Sequence, residues 1–316
     1  MVWGNGLIPG GRFVYNMEST KREEKQKMQD YIVNVCGDVS NVSWLIKGTK
    51  NILYDPGMAY SAEQMIENVK KELKDAPLDA VLLSHSHYDH VAALPYVKKE
   101  WPNAVVYGSA HAAEILKKSS VRNTIRKFNE DAARGAGVSG VPPWDEECLQ
   151  VDVAVKEGDV IVLGNHEIAV YETPGHTRCS LSYLVDQDVM FASETVGIFS
   201  GERYMPCYLV GYQICLDAVE KLRKARARRV FISHRGIQER SPEEIWDFLE
   251  SQIIKTRQEI IGIIHTCETE EEQLLAMKER YHDNICVRGE QPDFAFLLNA
   301  KATLRLIGRE CMEEKT

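Results

Sequence analysis

Long apolar runs are absent from this sequence of 316 residues. No stretch approaches the roughly 18 consecutive apolar residues of a membrane helix, so we expect no membrane association. The segment from Met1 to Gly6 lacks the basic and then apolar regions of a secretory signal, which predicts a cytoplasmic protein. Positive charge is also scarce, because 38 lysines and arginines face 47 acidic residues. The resulting net charge of −9 gives no general attraction for nucleic acid, and we expect none as a partner.

Closely spaced cysteine pairs are missing as well. The chain has eight cysteines, but none of them forms a C-x-x-C motif. In a chain of this length without a secretory signal, we predict free thiols rather than disulfides. These cysteines are Cys36, Cys148, Cys179, Cys207, Cys215, Cys267, Cys286 and Cys311.

The distribution of strand-like and helix-like segments predicts three regions. Residues 1–30 are irregular and then charged, and we interpret them as an N-terminal extension over the core. Residues 31–240 alternate strands with helices and form the predicted catalytic domain, which carries a helical insertion at about 109–147. Residues 241–316 are helical almost throughout and form a C-terminal extension.

Short apolar and β-branched runs predict the strands of the core. The first three, at 31–36, 42–47 and 51–54, form an antiparallel meander that ends at the turn Asp55-Pro56-Gly57. Ser61 is predicted to cap a helix that continues to about Lys74. Further strands are predicted at 80–83, 104–107, 151–155, 160–163, 167–172, 181–185, 189–192 and 229–232, and further helices at 91–99, 109–136, 214–226 and 242–310.

Potential metal ligands are concentrated in the hexapeptide His85-Ser86-His87-Tyr88-Asp89-His90. Imidazole and carboxylate groups are good ligands for zinc and similar divalent ions. Two histidines two positions apart on an extended segment point the same way, so His85 and His87 can bind one ion. Asp89 and His90 can then turn to a second ion. The alternative is a surface turn that is rich in histidine by chance. The chain has only nine histidines, and because three of them lie in this one hexapeptide, a metal site is the better explanation.

The hexapeptide resembles the H-x-H-x-D-H signature of the metallo-β-lactamase superfamily, and further segments match that family in order. Asp55-Pro56-Gly57 resembles its early Asp-x-Gly turn, Thr173-Pro174-Gly175-His176-Thr177 its T-P-G-H-T loop, and Ile232-Ser233-His234 the segment of its last histidine. Phe191-Ala192-Ser193-Glu194-Thr195 falls where the family usually has F-x-G-D-T. The resemblance covers about 31–236 and implies an α/β fold, an αββα sandwich with a helical C-terminal extension.

The resemblance also implies a set of ligands for two divalent metal ions, with zinc expected and iron or manganese as alternatives. His85, His87 and His176 would hold the first ion. Asp89, His90 and His234 would hold the second ion, and Asp89 would in addition pass a proton to the leaving group. A pair of ions lowers the pKa of bound water to about 7, which supplies a hydroxide for hydrolysis.

Glu194 departs from the family pattern, because the bridging position usually carries an aspartate. The longer side chain could bridge the two ions, bind only one of them, bind a metal-bound water, or turn away as a salt-bridge partner. The departure puts the occupancy of the second site in doubt. A histidine at position 87, and no flavodoxin-like segment after it, favour hydrolysis over the redox chemistry of flavodiiron proteins.

Three functions remain open from the sequence. The preferred one is hydrolysis of a thioester, ester or lactone of a small metabolite. The second is a phosphodiesterase or nuclease that uses the basic cluster at 223–229 to bind phosphate, although such a cluster is more often a solvated helix face. The third is a ligand-binding regulatory protein with a weak metal centre.

Three other segments have two interpretations each. The insertion at 109–147 and the C-terminal helices either form walls of the active site or merely pack on the sandwich, and the helices could also form a homodimer surface. Tyr204 and Tyr208 either place a hydroxyl near the metals or pack in the core.

Overall fold

Two β-sheets stacked face to face form the centre of the protein. The structure is a computed structural model that describes residues 31–286 and 290–313. The predicted N-terminal extension at 1–30 lies outside the described residues. Helices cover both outer faces of the sheet pair, so the layers follow the expected αββα order.

The first sheet contains six strands in sequence order. Its first three strands pair antiparallel as the predicted meander, and the other three continue in parallel. The strands are β1 (Ile32–Asn34), β2 (Trp44–Ile46), β3 (Ile52–Tyr54), β4 (Ala80–Leu82), β5 (Val105–Ser109) and β6 (Val153–Val155). Strand β4 is buried along its whole length, as expected for a central parallel strand that reads as an uninterrupted apolar run.

The second sheet also contains six strands, in the order β14-β13-β10-β9-β8-β7. All pairs are antiparallel except β10 with β13. Two further strands, β11 and β12, form a separate hairpin. The strands are β7 (Val160–Leu163), β8 (His166–Glu172), β9 (Leu181–Val185), β10 (Val189–Ala192), β11 (Ile198–Ser200), β12 (Arg203–Met205), β13 (Arg229–Ile232) and β14 (Gly236–Ile237).

Nine α-helices occur among the described residues, and the single helix predicted at 109–136 is two of them, at Ala110–Leu116 and Ser119–Gly135. They are α1 (Ala62–Leu73), α2 (Tyr88–Val91), α3 (Leu94–Glu100), α4 (Ala110–Leu116), α5 (Ser119–Gly135), α6 (Tyr212–Lys224), α7 (Pro242–Thr266), α8 (Glu270–Met277) and α9 (Asp293–Glu313). The insertion consists of α4 and α5 and a short 3-10 turn at Glu146–Cys148. The C-terminal extension consists of α7, α8, a π-helical turn at Lys278–His282, and α9.

An aromatic core joins the facing sides of the two sheets. Phe191 and Phe231 stack with ring centroids 4.6 Å apart, and Tyr54 from the other sheet lies 4.9 Å from Phe191. All three side chains are fully buried. These rings lie one or two residues before Asp55, Ser193 and Ser233. The packed core therefore fixes the relative positions of the chain segments that carry the candidate ligands.

Three local predictions need correction. Ser61 stands at the start of α1 but does not cap it, because its hydroxyl bonds the Asp38 carboxylate at 2.5 Å and the Met58 carbonyl instead. The helix predicted at 91–99 is two helices, since α2 ends at Val91 and α3 begins at Leu94. The β11–β12 hairpin and the two-residue strand β14 were not predicted.

Candidate metal centre

The hexapeptide follows strand β4 and turns into helix α2 over the carboxyl ends of the parallel strands. His85 is 1% exposed, and its Nδ1 atom lies 2.9 Å from the Ser84 hydroxyl. His87 is extended and precedes α2, which carries Asp89 and His90. His85 and His87 therefore share one ligand cluster, whereas Asp89 and His90 turn to a second one, as the sequence pattern predicts.

Asp55 organises the neighbouring loop from the end of β3. Its carboxylate accepts hydrogen bonds from the Ser84 amide at 2.8 Å and the Ser84 hydroxyl at 2.6 Å. It also accepts from His90 Nδ1 at 2.8 Å, which leaves His90 Nε2 free to bind a metal ion. The backbone of Asp55 has a φ of 46°, a left-handed conformation that is uncommon for non-glycine residues and is found at functional sites.

The first ligand cluster consists of His85, His87 and His176. One nitrogen from each imidazole lies within 4.8 Å of the other two. His176 Nδ1 donates to the Cys207 carbonyl oxygen at 2.8 Å, so Nε2 faces the cluster and lies 2.9 Å from His87 Nδ1. His85 Nε2 is buried and has no hydrogen-bond partner among the described residues, as expected of a nitrogen placed to bind a metal.

Gly175 explains how the T-P-G-H-T loop brings His176 to this position. Its φ of 151° lies in the region that favours glycine, and a Cβ atom there would collide with Thr195 and Cys215. The His176 amide donates to the Thr195 hydroxyl at 3.0 Å, which ties the loop to the turn that carries Glu194.

The second ligand cluster consists of Asp89, His90, Glu194 and His234, again within 4.8 Å of one another. His234 Nδ1 donates to the Ser40 carbonyl oxygen at 2.8 Å, so its Nε2 faces the cluster. His234 has a φ of 64°, a second left-handed residue at this site. Asp89 Oδ2 lies 3.5 Å from His90 Nε2 and 4.0 Å from His234 Nε2.

Glu194 lies between the two clusters and contacts histidines of both. Its Oε1 lies 2.9 Å from His234 Nε2 and 2.6 Å from His90 Nε2, the latter an ion-pair contact without hydrogen-bond geometry. Its Oε2 lies 3.2 Å from His176 Nε2. The alternative in which this side chain turns away from the centre does not apply, because all of these contacts are with candidate ligands.

The electrostatics of the two clusters differ. Burial and the neighbouring histidines lower the pKa of His85, and burial and His176 lower the pKa of His87 to about 3. Burial also opposes the protonation of His90 and His234, but nearby carboxylates, including Glu194, outweigh it and raise both pKa values. Burial likewise opposes ionisation of Glu194, yet the nearby His176, His234 and His90 lower its pKa. The second cluster thus attracts positive charge, and the donor set of both clusters fits divalent ions.

A cavity of about 470 Å³ opens beside the two clusters. Its floor includes His87, Asp89, His176 and Glu194. The insertion and helix α9 supply an apolar wall, formed by Ile115, Val121, Ile125, Phe128, Ala295 and Leu298. Both segments therefore line the cavity. The sequence alone did not decide whether they form walls of the active site or merely pack on the sandwich.

One contact fixes this wall to the segment of candidate ligands, and a second joins the two parts of the wall to each other. The Asn129 side chain is fully buried and donates from its amide to the Tyr88 carbonyl oxygen at 3.3 Å, which joins α5 to the ligand hexapeptide. The ring of Phe128 meets that of Phe294 in α9 at 5.2 Å between centroids. Sequence reasoning did not identify Asn129, since a single asparagine within a helix carries no local signal.

The tyrosines considered as active-site groups pack in the core instead. The Tyr204 hydroxyl donates to the Val196 carbonyl oxygen at 3.1 Å, and the Tyr208 hydroxyl donates to Thr256 at 3.4 Å. Both side chains belong to the buried cluster under the C-terminal helices. The segment contributes to the site through the backbone of Cys207, whose carbonyl orients His176.

Comparison with known proteins identifies the family. Residues 36–234 match the model of the metallo-beta-lactamase superfamily. The chain belongs to this superfamily, as its sequence motifs indicated, and it has the metallo-beta-lactamase fold. Members of the superfamily are typically metal-dependent hydrolases with two divalent ions.

Individual relatives are distant. The chain is 30% identical to a hydroxyacylglutathione hydrolase of Buchnera aphidicola over 48% of this chain and 43% of that protein. It is 24% identical to a metallo-beta-lactamase fold-containing protein of Sulfurisphaera tokodaii over 56% of this chain and 67% of the relative. It thus spans about half the length of the hydroxyacylglutathione hydrolases it matches. A solved metallo-beta-lactamase family protein of Thermus thermophilus aligns with a TM-score of 0.55 and 17% identity, over 84% of this chain and 88% of the other, which supports the fold.

Two further predictions have outcomes in the structure. All eight cysteines are free thiols, as predicted. No helix in the described part of the chain is long and apolar enough to cross a membrane.

Proposed function

We propose that this protein is a binuclear metal hydrolase that cleaves a thioester, ester or lactone of a small metabolite in the cytoplasm. His85, His87 and His176 would hold the first ion, Asp89, His90 and His234 would hold the second, and the Glu194 carboxylate would lie between the two sites. The observation that carries the proposal is the position of the Glu194 carboxylate, which contacts His176 of one cluster and His90 and His234 of the other. Zinc is the expected metal, with iron or manganese as alternatives.

Bound ions would supply a water activated at neutral pH and a Lewis acid for the carbonyl oxygen. The protein supplies the arrangement around them. The carbonyls of Ser40 and Cys207 and the Asp55 carboxylate orient three of the imidazoles through their Nδ1 atoms. Asp89 faces both the cavity and His90, so its carboxylate is placed to carry a proton to the leaving group.

Three features support a small acyl substrate. The cavity is large enough for a metabolite and has an apolar wall beside the candidate metal centre. An acylated glutathione is a thioester, and the names of several relatives refer to its hydrolysis.

We propose further that the insertion at 109–147 and the C-terminal extension belong to the catalytic unit, because both line this cavity.

The structure gives little support to the nuclease alternative. Arg223 forms salt bridges with Asp247 at 2.9 Å and Glu250 at 3.0 Å, and Arg229 is paired with Asp188. Arg229 begins strand β13, whereas His234 follows the end of that strand, so the basic cluster and the candidate ligands lie at opposite ends of the sheet. We therefore propose that no nucleic acid is bound there.

Hydrolysis of matched substrates by metal-loaded protein tests the proposal. The panel contains acyl thioesters, lactones and bis-p-nitrophenyl phosphate, and the metal content is measured on the same sample. We expect turnover of a thioester or lactone that stops after chelation and returns with added metal. Phosphodiester turnover without acyl hydrolysis would contradict the proposal. Turnover of none of the substrates, with one ion or none retained, would favour a regulatory role.

A further inference from the structure

The charges that line the cavity are separated. Both carboxylates among its lining residues, Asp89 and Glu194, belong to the floor and to the candidate ligands. The other polar groups of the lining are neutral or basic, and Arg178 is the arginine among them. A substrate would therefore meet acidic groups only where bound metal ions neutralise them.

Arg178 lies two residues after His176, on the loop that delivers that ligand. The loop itself is well held, since the Thr177 hydroxyl lies 2.7 Å from the Ser180 hydroxyl and the Gly175 amide donates to the Thr177 carbonyl at 3.2 Å. The Arg178 side chain, in contrast, is exposed and has no ion pair, hydrogen bond or ring contact within the described ranges.

Two arginines of the neighbouring insertion differ from Arg178, because each has an acidic partner. Arg122 is paired with Glu147 at 2.6 Å, and Arg126 pairs with Glu146. Acidic side chains thus neutralise basic groups on the insertion, whereas the guanidinium beside the candidate metal centre is left available. A guanidinium presents a rigid fork of donors that matches a carboxylate or phosphate.

We infer that Arg178 recognises an anionic group of the substrate, a carboxylate or a phosphate, while the apolar wall of α4, α5 and α9 holds a hydrocarbon part. The inference rests on the proposed function and names its substrate class as an amphipathic, negatively charged acyl compound. Because Arg178 is exposed, its contribution is moderate, about tenfold in KM or Kd, and falls as salt is added.

Matched thioesters test this directly. S-butanoyl-mercaptopropionate carries a carboxylate, S-butanoyl-mercaptoethyl phosphate carries a phosphate, and S-butanoyl-mercaptopropionamide is neutral. The metal-loaded wild type is compared with Arg178→Gln, Arg178→Lys and the control Arg228→Gln, an exposed arginine just before strand β13. We expect Arg178→Gln to raise KM for an anionic thioester about tenfold and to leave the neutral one unchanged, with partial rescue by Arg178→Lys.

Binding of inert analogues separates this inference from the proposed function. Calorimetry compares N-butanoyl-β-alanine and N-butanoyl-aminoethyl phosphate with N-butanoyl-β-alaninamide. If neither these thioesters nor the thioesters and lactones of the wider panel are hydrolysed, but an anionic analogue binds tighter only when Arg178 is present, the inference stands and the proposed function fails. If all three thioesters are hydrolysed equally by wild type and Arg178→Gln, the function stands and the inference is overturned. The anion that responds to Arg178 identifies the source, carboxylate or phosphate.

Discussion

The two ligand clusters share one cavity floor but differ in charge. The first is made of three imidazoles, His85, His87 and His176, two of which have pKa values lowered by burial and neighbouring histidines. The second combines imidazoles with carboxylates, and the pKa values of His90 and His234 are raised there. A neutral imidazole is ready to bind a metal without losing a proton, whereas a histidine with a raised pKa is more readily protonated and would have to release that proton to bind one. We therefore expect the first site to depend on its histidines and the second on its carboxylates.

Among the variants that test this difference between the two sites, His85→Ala should cause the largest loss of bound metal and activity. It removes one of the three imidazoles of the first cluster, and we expect loss of one ion per chain and a fall in kcat/KM of at least about a thousandfold. Metal analysis and steady-state kinetics measure both. His265→Ala, at an exposed histidine of α7, is the matched control. Full metal content and activity in His85→Ala would refute the assignment of the first site.

Glu194→Gln tests the link between the clusters. The amide keeps the shape of the side chain but removes the charge that attracts cations to His90 and His234. We expect weaker binding of the second ion than of the first and a loss of about a hundredfold in kcat. Glu194→Asp keeps the charge and should retain more activity than Glu194→Gln. Equal activity of the wild type and Glu194→Gln would show that Glu194 does not bridge.

Asp55→Asn should weaken the second site more than the first, because Asp55 contacts His90 directly and reaches His85 only through the Ser84 hydroxyl. Asp55 holds His90 through Nδ1 at 2.8 Å and has no contact with His85, His87 or His176 through its side chain. We expect the affinity for the second ion to fall roughly 10- to 100-fold while the first ion is retained. Competitive titration with a metal indicator measures the two affinities. An equal loss at both sites would mean that Asp55 supports the whole loop rather than one ligand.

The smallest expected effect is on stability, and it comes from changing a histidine–aspartate pair outside the metal centre. His166 Nδ1 lies 2.8 Å from Asp186 Oδ2, and Nε2 lies 3.1 Å from the Lys47 carbonyl, so the doubly protonated ring satisfies both acceptors. The hydrogen bond with Asp186 raises the pKa of His166 despite burial. Because the folded pKa is the higher one, the stabilisation is complete below about pH 6.5 and is lost as pH rises through the folded value.

His166→Gln should therefore lower the free energy of unfolding by less than about 1 kcal/mol at mildly acidic pH, since Asp186 is partly exposed. The difference from wild type should shrink at alkaline pH. Urea unfolding at several pH values measures it, with His265→Gln as the control. A difference that grows with pH would contradict the sign of the pKa shift.

Local sequence pattern was enough to single out the candidate ligands, because each lies next to a strand end or a glycine turn, and their binding of metal stays a prediction. Strand β4 leads into His85, and Gly175 must precede His176 because a side chain there would collide with Thr195. All the predicted strands occur, and those at 160–163, 181–185, 189–192 and 229–232 have the same bounds in the structure, whereas the first two, at 31–36 and 42–47, were each predicted three residues too long. Free cysteines and the helical insertion were also predicted correctly.

Long-range contacts were not predictable in this way. Ser40 orients His234 across 194 positions of sequence, and Cys207 orients His176 through its backbone, which no side-chain pattern reveals. Arg178 was overlooked because a single arginine is ordinary in a sequence, and only the fold shows that acidic partners are absent around it among the described residues. The prediction that Ser61 caps α1 was wrong because its hydroxyl donates to Asp38, 23 residues earlier in the chain, instead of bonding a backbone amide of the helix.

Metal stoichiometry of the wild-type protein tests the central claim most directly. Purified protein is stripped with a chelator, reloaded with zinc, iron or manganese, and measured by mass spectrometry for bound metal per chain. The proposed bridging by Glu194 predicts two ions per chain for the metal that restores hydrolysis. A single ion per chain at full activity, or activity without any bound metal, would contradict it.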